Sequence, residues 1–234
     1  VGAITLTDGA TINAGSGTIT LTAPDDITLS GLSTTNTTTG AVSVTSSAGK
    51  LIDAGDSATD IVANGVGART TLSAVTGIGT AGAIDTQIAN LVATNSGTAG
   101  NIQINETDAL VIRNAAQTNA GTSAGTIDIT AAGAVTVEAT GTGGTGVTID
   151  GLAASTGTIT LAATGTGNSL GVAHNVTSKA GDITLRGGDN VSFTAAGTVA
   201  STTGNVAVVG NYLAGDAVGA ITLTDGATIN AGSG

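Results

Sequence analysis

One short pattern recurs along the chain: a glycine, one small or polar residue, then aliphatic and polar residues in alternation. It reads G-A-I-T-L-T from Gly2, G-T-I-T-L-T from Gly17, G-A-V-S-V-T from Gly40, G-N-I-Q-I-N from Gly100 and G-T-I-D-I-T from Gly125. It returns as G-T-I-T-L-A from Gly157, G-D-I-T-L-R from Gly181 and G-N-V-A-V-V from Gly204. A period of two marks a strand with one buried face. Ile4/Leu6, Ile19/Leu21, Val42/Val44, Ile102/Ile104, Ile127/Ile129, Ile159/Leu161, Ile183/Leu185 and Val206/Val208 are expected to point inward. Further strands are expected at Ile27/Leu29, Leu110/Ile112, Val135/Val137, Val147/Ile149 and Val191/Phe193.

A longer period encloses the short one. The segment 1–17, V-G-A-I-T-L-T-D-G-A-T-I-N-A-G-S-G, recurs without a difference at 218–234, so that position n returns at position n + 217. The simplest organisation is one unit spanning 1–217, followed by the start of the next copy, 218–234. From Gly17 the motif glycines fall at Gly40, Gly100, Gly125, Gly157, Gly181 and Gly204, and the series closes on Gly234, the equivalent of Gly17. If the long gap between Gly40 and Gly100 holds two or three irregular turns, the unit contains 8 or 9 coils.

Two or three strands per coil, with Gly, Asn, Asp and Ser at the corners, predict a parallel β-solenoid. Stacking coils lets each strand pair with the one below and shares burial along the axis. Glycine would supply positive φ at corners, and the lone Pro24 falls in T-A-P-D-D, where no ladder donor is lost. Because parallel crossovers are overwhelmingly right-handed, the expected fold is a right-handed parallel β-helix. A β-sandwich would need short hairpin turns, and the motifs recur at coil length instead.

Composition supports this and narrows function. The 234 residues include 38 Gly, no Cys, no Trp, one Tyr and one Phe, with 40% hydrophobic and only 9% charged residues. That is too apolar for disorder and too poor in large side chains for a globular core. A net charge of -11, with only five Lys and Arg, weighs against nucleic acid. The absence of Cys removes disulfides and thiolate sites. No apolar stretch approaches the roughly 20 residues of a bilayer span. Val1-Gly2-Ala3-Ile4 carries no basic region of a signal peptide, so any export signal is expected outside these residues.

In the style of its repeats the chain resembles the large bacterial surface proteins of the filamentous-haemagglutinin and autotransporter-passenger type. The residues carrying the resemblance are the G-x-I-T-L-T strands and the segment from Gly77 to Ile112, which looks like one found in giant β-strand-repeat proteins of that group. The resemblance implies a secreted adhesin whose stalk is a right-handed parallel β-helix. The secretion and anchoring parts of that family have no counterpart among these residues.

Several side chains are candidates for chemistry. A β-helix polysaccharide-degrading enzyme would use carboxylate pairs, and Asp25 with Asp26, Asp53 with Asp56 and Asp60, and Asp182 with Asp189 are available. Arg69, Arg113 and Arg186 look isolated and aromatic platforms are scarce, so no catalytic residue is assigned. Adjacent carboxylates at a corner are more often Asx-turn residues facing water. Loosely bound calcium is conceivable at Asp53, Asp56 and Asp60, although the stretch from Gly143 to Asp150 breaks the G-G-x-G-x-D register of calcium-binding β-helix repeats. His174 lacks His or Cys neighbours, and Lys50 and Lys179 read as solvated charges. No cofactor is expected. Thr5/Thr7, Thr20/Thr22 and Thr222/Thr224 resemble the threonine ranks of ice-binding solenoids, yet Gln103/Asn105, Asp128/Thr130 and Thr184/Arg186 interrupt them. Glycosylation sequons occur at Asn36, Asn105, Asn175 and Asn190.

The expected function is therefore structural: a rigid tandem-repeat rod, extracellular or on the cell surface, in a bacterial filament or giant adhesin. Its partners would be identical units end to end. The alternative is a module that binds glycans or other cells, with Ile52 to Val75 as an excursion from the solenoid.

Overall fold

The computed structural model describes residues 2–55, 58–120, 125–138, 146–151, 155–213 and 219–233, with only the backbone considered at 119, 120 and 151. Among the described residues the chain is all-β, and its strands stack in parallel as a β-solenoid of about eight turns.

The first three coils each contribute three strands. They are β1 (Ile4–Thr5), β2 (Thr11–Asn13) and β3 (Ile19–Ala23); β4 (Ile27–Leu29), β5 (Gly31–Ser33) and β6 (Val42–Ser46); β7 (Leu51–Asp53), β8 (Ile61–Ala63) and β9 (Arg69–Ala74). Two central coils follow, with β10 (Ile84–Ile88) and β11 (Asn90–Asn95), then β12 (Ile102–Glu106) and β13 (Leu110–Ala120). The next coils hold β14 (Ile127–Ala131), β15 (Val135–Val137) and β16 (Gly146–Gly151), then β17 (Ile159–Ala163), β18 (Leu170–Val172) and β19 (Asn175–Ser178). The last are β20 (Ile183–Gly187), β21 (Val191–Phe193) and β22 (Thr198–Ser201), then β23 (Val206–Val209), β24 (Ile221–Leu223) and β25 (Thr228–Asn230).

Alternation places one inward residue above another through the whole length, aliphatic except at Thr70 and Phe193. A first column runs Ile4, Ile27, Leu51, Ile78, Ile102, Ile127, Ile159, Ile183, Val206. A second runs Ile19, Val42, Thr70, Leu91, Ile112, Val137, Val172, Phe193, Leu223. A third runs Leu21, Val44, Leu72, Ala93, Ala115, Val147, Val176, Val199, Ile229. Away from the first and last rungs these residues are almost wholly buried. The core is thus a thin, continuous aliphatic cluster, which branched side chains can fill without large aromatic residues.

The cross-section changes along the axis. In the first three coils β3, β6 and β9 form one long side and the other two sides are short. In the later coils the long side is β14, β17 and β20. The exchange happens at β12 and β13. β12 pairs through Ile102 with the end of the β1-β4-β7 side and through Ile104 to Glu106 with β10, so one corner closes. β13 takes an extra residue, Arg113, between the partners of Leu91 and Val92, and then pairs with both β15 and β16, so a new corner opens. Such a bulge is the expected device for bending a strand.

This exchange corrects the assumption that the recurring motif marks one equivalent strand per coil. The strands after Gly2, Gly100, Gly125, Gly157, Gly181 and Gly204 stand on the first column, whereas those after Gly17 and Gly40 begin the second. The stretch Ile52 to Val75 is not an excursion either. It supplies β8, β9 and the fully buried Ile61 and Leu72, because its alternation continues in phase with the rungs around it.

The corner glycines act chiefly through closeness. Gly181 and Gly204 have no left-handed φ, yet a methyl group on either would overlap the carbonyl of the glycine one rung below, Gly157 and Gly181 respectively. A serine shortly before each glycine ties its corner. Ser178 Oγ donates to Gly157 O at 3.0 Å and accepts from Gly181 N at 3.2 Å; Ser201 Oγ donates to Gly181 O at 3.0 Å and accepts from Gly204 N at 2.9 Å. Ser46 makes the same kind of tie between Asp25 O and Gly49 N.

Candidate functional site

The best-formed concavity among the described residues lies along the outer surface of β13, β16, β19 and β22, a groove of about 810 Å³. Its floor is the outward column Ala116, Thr148, Thr177, Ala200 and Asn230, each in register with the next. The corner that opens at β13 creates this surface, because it turns the second half of that strand and its partners into a separate side. Lys179 stands in the groove 3.4 Å from Asp150 Oδ1, so it is not the isolated charge the sequence suggested. The groove offers hydroxyls, two asparagine amides and one exposed ion pair. Its described lining contains no aromatic side chain, since Phe193 is buried and Tyr212 lies under Arg186, whose guanidinium is 4.7 Å from the ring centre. These groups suit hydrogen bonding to a polyhydroxylated ligand better than covalent chemistry.

The sequence candidates fall at scattered places. Asp53 ends β7, and its Oδ1 accepts from Gly55 N at 2.9 Å, an Asx turn. Asp60 is buried just before β8, where its Oδ2 accepts from Asp85 N at 3.0 Å and its carbonyl from Leu32 N at 2.7 Å. Asp56 lies outside the described residues. No group of three or more His, Cys, Asp or Glu with metal-binding geometry occurs among the described residues. Asp26 Oδ1 accepts from Lys50 N at 3.1 Å, which fixes the corner below β7.

Asp182 and Asp189 flank β20 at its two ends, separated by about 20 Å of extended backbone. Asp182 Oδ1 accepts both the backbone N and the side-chain amide of Asn205, and Asp189 Oδ2 accepts from Asn190 Nδ2 at 2.6 Å. Neither stands opposite the other across a cleft, as the two carboxylates of a glycosidase do within about 10 Å. His174 sits at the corner between β18 and β19 with a buried Nδ1 that has no hydrogen-bond partner.

Of the arginines, Arg113 is not isolated. Its Nε donates to Asn90 Oδ1 and its Nη1 to Glu138 Oε2, each at 2.9 Å, so the bulged residue is held by the rungs on both sides.

The threonine ranks also lie elsewhere than the motif suggested. Thr20/Thr22, Ser43/Thr45 and Thr71/Ser73 are stacked in register on the outer face of β3, β6 and β9, while Thr5 belongs to a different side. Val92 stands where the next rung would continue the column of Thr20, Ser43 and Thr71.

Sequence reasoning missed Glu106. It is only 3% exposed and stands between Thr86 and Ala131 in the core. Oε2 accepts from Thr86 Oγ1 at 2.8 Å and Ile88 N at 3.0 Å; Oε1 accepts from Thr107 N at 3.0 Å and Asp108 N at 3.2 Å. Burial pushes its carboxyl up to about 7 against the hydrogen bonds from Thr86, Asp108 and Ile88, which favour the ionised form. The signal was present: Glu106 is in phase with Ile102 and Ile104, so the alternation itself directs it inward. Asp128, on the outer face of β14, is raised by desolvation and held down in part by Arg186.

No protein family model, curated protein or solved structure matches the chain. No helix among the described residues is long and apolar enough to cross a membrane.

Proposed function

We propose that the protein is a structural β-solenoid segment, one complete repeat unit and the beginning of the next, in a tandem-repeat rod of an extracellular bacterial filament or giant adhesin. One observation carries the reading. The segments 1–17 and 218–234 are identical, and the described parts of both copies pair as regular rungs of the same solenoid, Ile4 with Ile27 at one end and Ile221 with Val191 at the other. A repeat that stacks on its neighbour buries apolar surface between copies, so stiffness follows from the continuity of the core. The bacterial surface location rests on the resemblance in repeat style. The net charge of -11 is consistent with rods that repel one another side by side.

Electron microscopy of a chain of several copies tests this. Each copy should add about 40 Å of thin rod, eight turns and a fraction at the spacing of parallel strands. Beads joined by linkers would refute it.

A second reading is favoured by the groove. Its hydroxyls and the Lys179 and Asp150 pair would hydrogen-bond a glycan, which makes the segment a binding module as well as a spacer. A glycan array probed with this chain and with its Lys179→Ala variant distinguishes the two readings, because a pure spacer gives no signal that the substitution removes.

A further inference from the structure

The repeated segment stands on different sides of the solenoid in its two copies. β1 and β2 pair with β4 and β5, on the sides that carry the first column and Ile12. Their sequence equivalents β24 and β25 pair with β21 and β22, on the sides that carry the second and third columns. The first column passes through nine rungs from Ile4 to Val206 before β24 begins on the following side. One unit is therefore eight turns plus one side, not a whole number of turns.

From this, and resting on the tandem reading above, we infer that the upper rung β23-β24-β25 is the docking surface for the body of a second copy of this unit, and that each copy is rotated about half a turn relative to the copy before it, its first column continuing on the earlier copy's second column.

Three observations fix the register. The last pairs join Val191 with Ile221 and Thr198 with Thr228, so position n stands opposite position n + 30. Continued past the described residues, the same offset would set Gly17-Thr18-Ile19 of the following copy, whose Gly17 is position 234, in line with Gly204-Asn205-Val206. Ile19 and Leu21 of that copy then continue the columns of Val206 and Val208. Side lengths agree as well. The long strand β3 meets the long side formed by β20 and β23, and the short strands β1 and β2 meet short sides.

The cover for the other two strands is already present in the first coil, where Ile27 lies over Ile4 and Leu32 over Ile12. Leu223 is 46% exposed where its sequence equivalent Leu6 in the first rung is 7% exposed, while Ile229 and its equivalent Ile12 are 39% and 36% exposed. Ile221, Ile229 and Val209 are exposed along the same rung.

The rotation has a functional consequence. In successive copies the groove with Lys179 and Asp150 would alternate between two faces of the rod, because the first column of each copy continues on the second column of the copy before and its second column on the first, and orientation would recur after two copies, about 80 Å. A surface feature used for contact would then be offered on both faces of the rod.

The test is a chain carrying two whole copies with two engineered cysteines, which are its only thiols because the sequence has none. Register neighbours on adjacent strands lie about 5 Å apart, within disulfide reach. Ala207→Cys combined with Thr20→Cys in the following copy should oxidise almost completely to an intrachain disulfide, and Ala207→Cys with Thr5→Cys in the following copy should not. The reverse result places the copies a whole number of turns apart and overturns the rotation while leaving the rod intact. If neither pair oxidises and the two-copy chain is no longer than one copy by small-angle scattering, the tandem reading itself falls.

Discussion

The packing of the motif glycines makes a sharp prediction about two positions that the sequence presents as equivalent. Gly181 opens G-D-I-T-L-R and Gly40 opens G-A-V-S-V-T. A methyl group at position 181 would overlap the carbonyl of Gly157 and stand 2.7 Å from Thr156 O, both main-chain atoms in a hydrogen-bonded ladder. At position 40 the nearest atom is Thr38 Oγ1 at 3.9 Å. Relief at 181 requires the two rungs to part by about 1 Å. The bonds that cross this corner, Ala180 N to Ser155 O at 2.8 Å and Ile159 N to Asp182 O at 2.9 Å, would then exceed hydrogen-bonding distance. Two lost backbone bonds at about 1 kcal/mol each, with overpacking strain of about 1 to 3 kcal/mol, set the cost of Gly181→Ala at about 3 kcal/mol or more. Gly40→Ala should be neutral, or stabilising by up to about 1 kcal/mol through the unfolded chain. Urea unfolding followed by circular dichroism measures the difference as a shift in midpoint at constant slope. If Gly181→Ala is as stable as Gly40→Ala, the reading that glycine is required at this corner for close approach, and not for backbone conformation, is wrong.

Three further outcomes are expected. Because Glu106 holds its proton up to about pH 7 in the folded chain and to about 4.5 when unfolded, the folded state binds more protons between those values, and stability should fall as pH rises through that window, then level off. The limit is about 3 kcal/mol. Thermal melts from pH 4 to 8 measure it, and Glu106→Gln should flatten the slope while lowering stability overall, since its amide would face N–H donors; an unchanged slope in that variant refutes the assignment. Phe193→Ala removes the largest buried side chain, between Val172 and Leu223, and should cost about 3 to 5 kcal/mol in chemical denaturation. Ser201→Ala leaves Gly204 N and Gly181 O without their tie and should cost about 1 to 3 kcal/mol, with faster hydrogen exchange at Gly204 as the local sign; exchange no faster than in the parent chain would remove the serine corner from the argument.

The fold was legible because two signals of different period agreed. Alternation named the inward residues, and from Ile27 and Leu29 through to Val191 and Phe193 the expected inward residues are buried. The repeat lengths implied stacking. Position around the axis was not legible, because G-x-I-T-L-T specifies only a strand with one buried face, and all three sides of a solenoid accept such a strand. What decides the side is the count of residues between corners together with the Arg113 bulge, and the stretch L-V-I-R-N-A-A of β13 does not say which of its residues is the extra one. The same blindness explains the candidate sites. Charged residues such as Lys179 and Asp150 are distant in sequence and meet only because β16 and β19 are neighbours, a relation that depends on the corner opened in β13. Glu106 is the opposite case, readable from phase alone and passed over because a carboxylate is expected at a surface. In a solenoid the phase of the alternation outranks the polarity of the residue: the strand cannot turn one side chain outward without breaking its ladder, so the polar residue goes in and the neighbouring rung, here Thr86 and Ile88, must supply its donors.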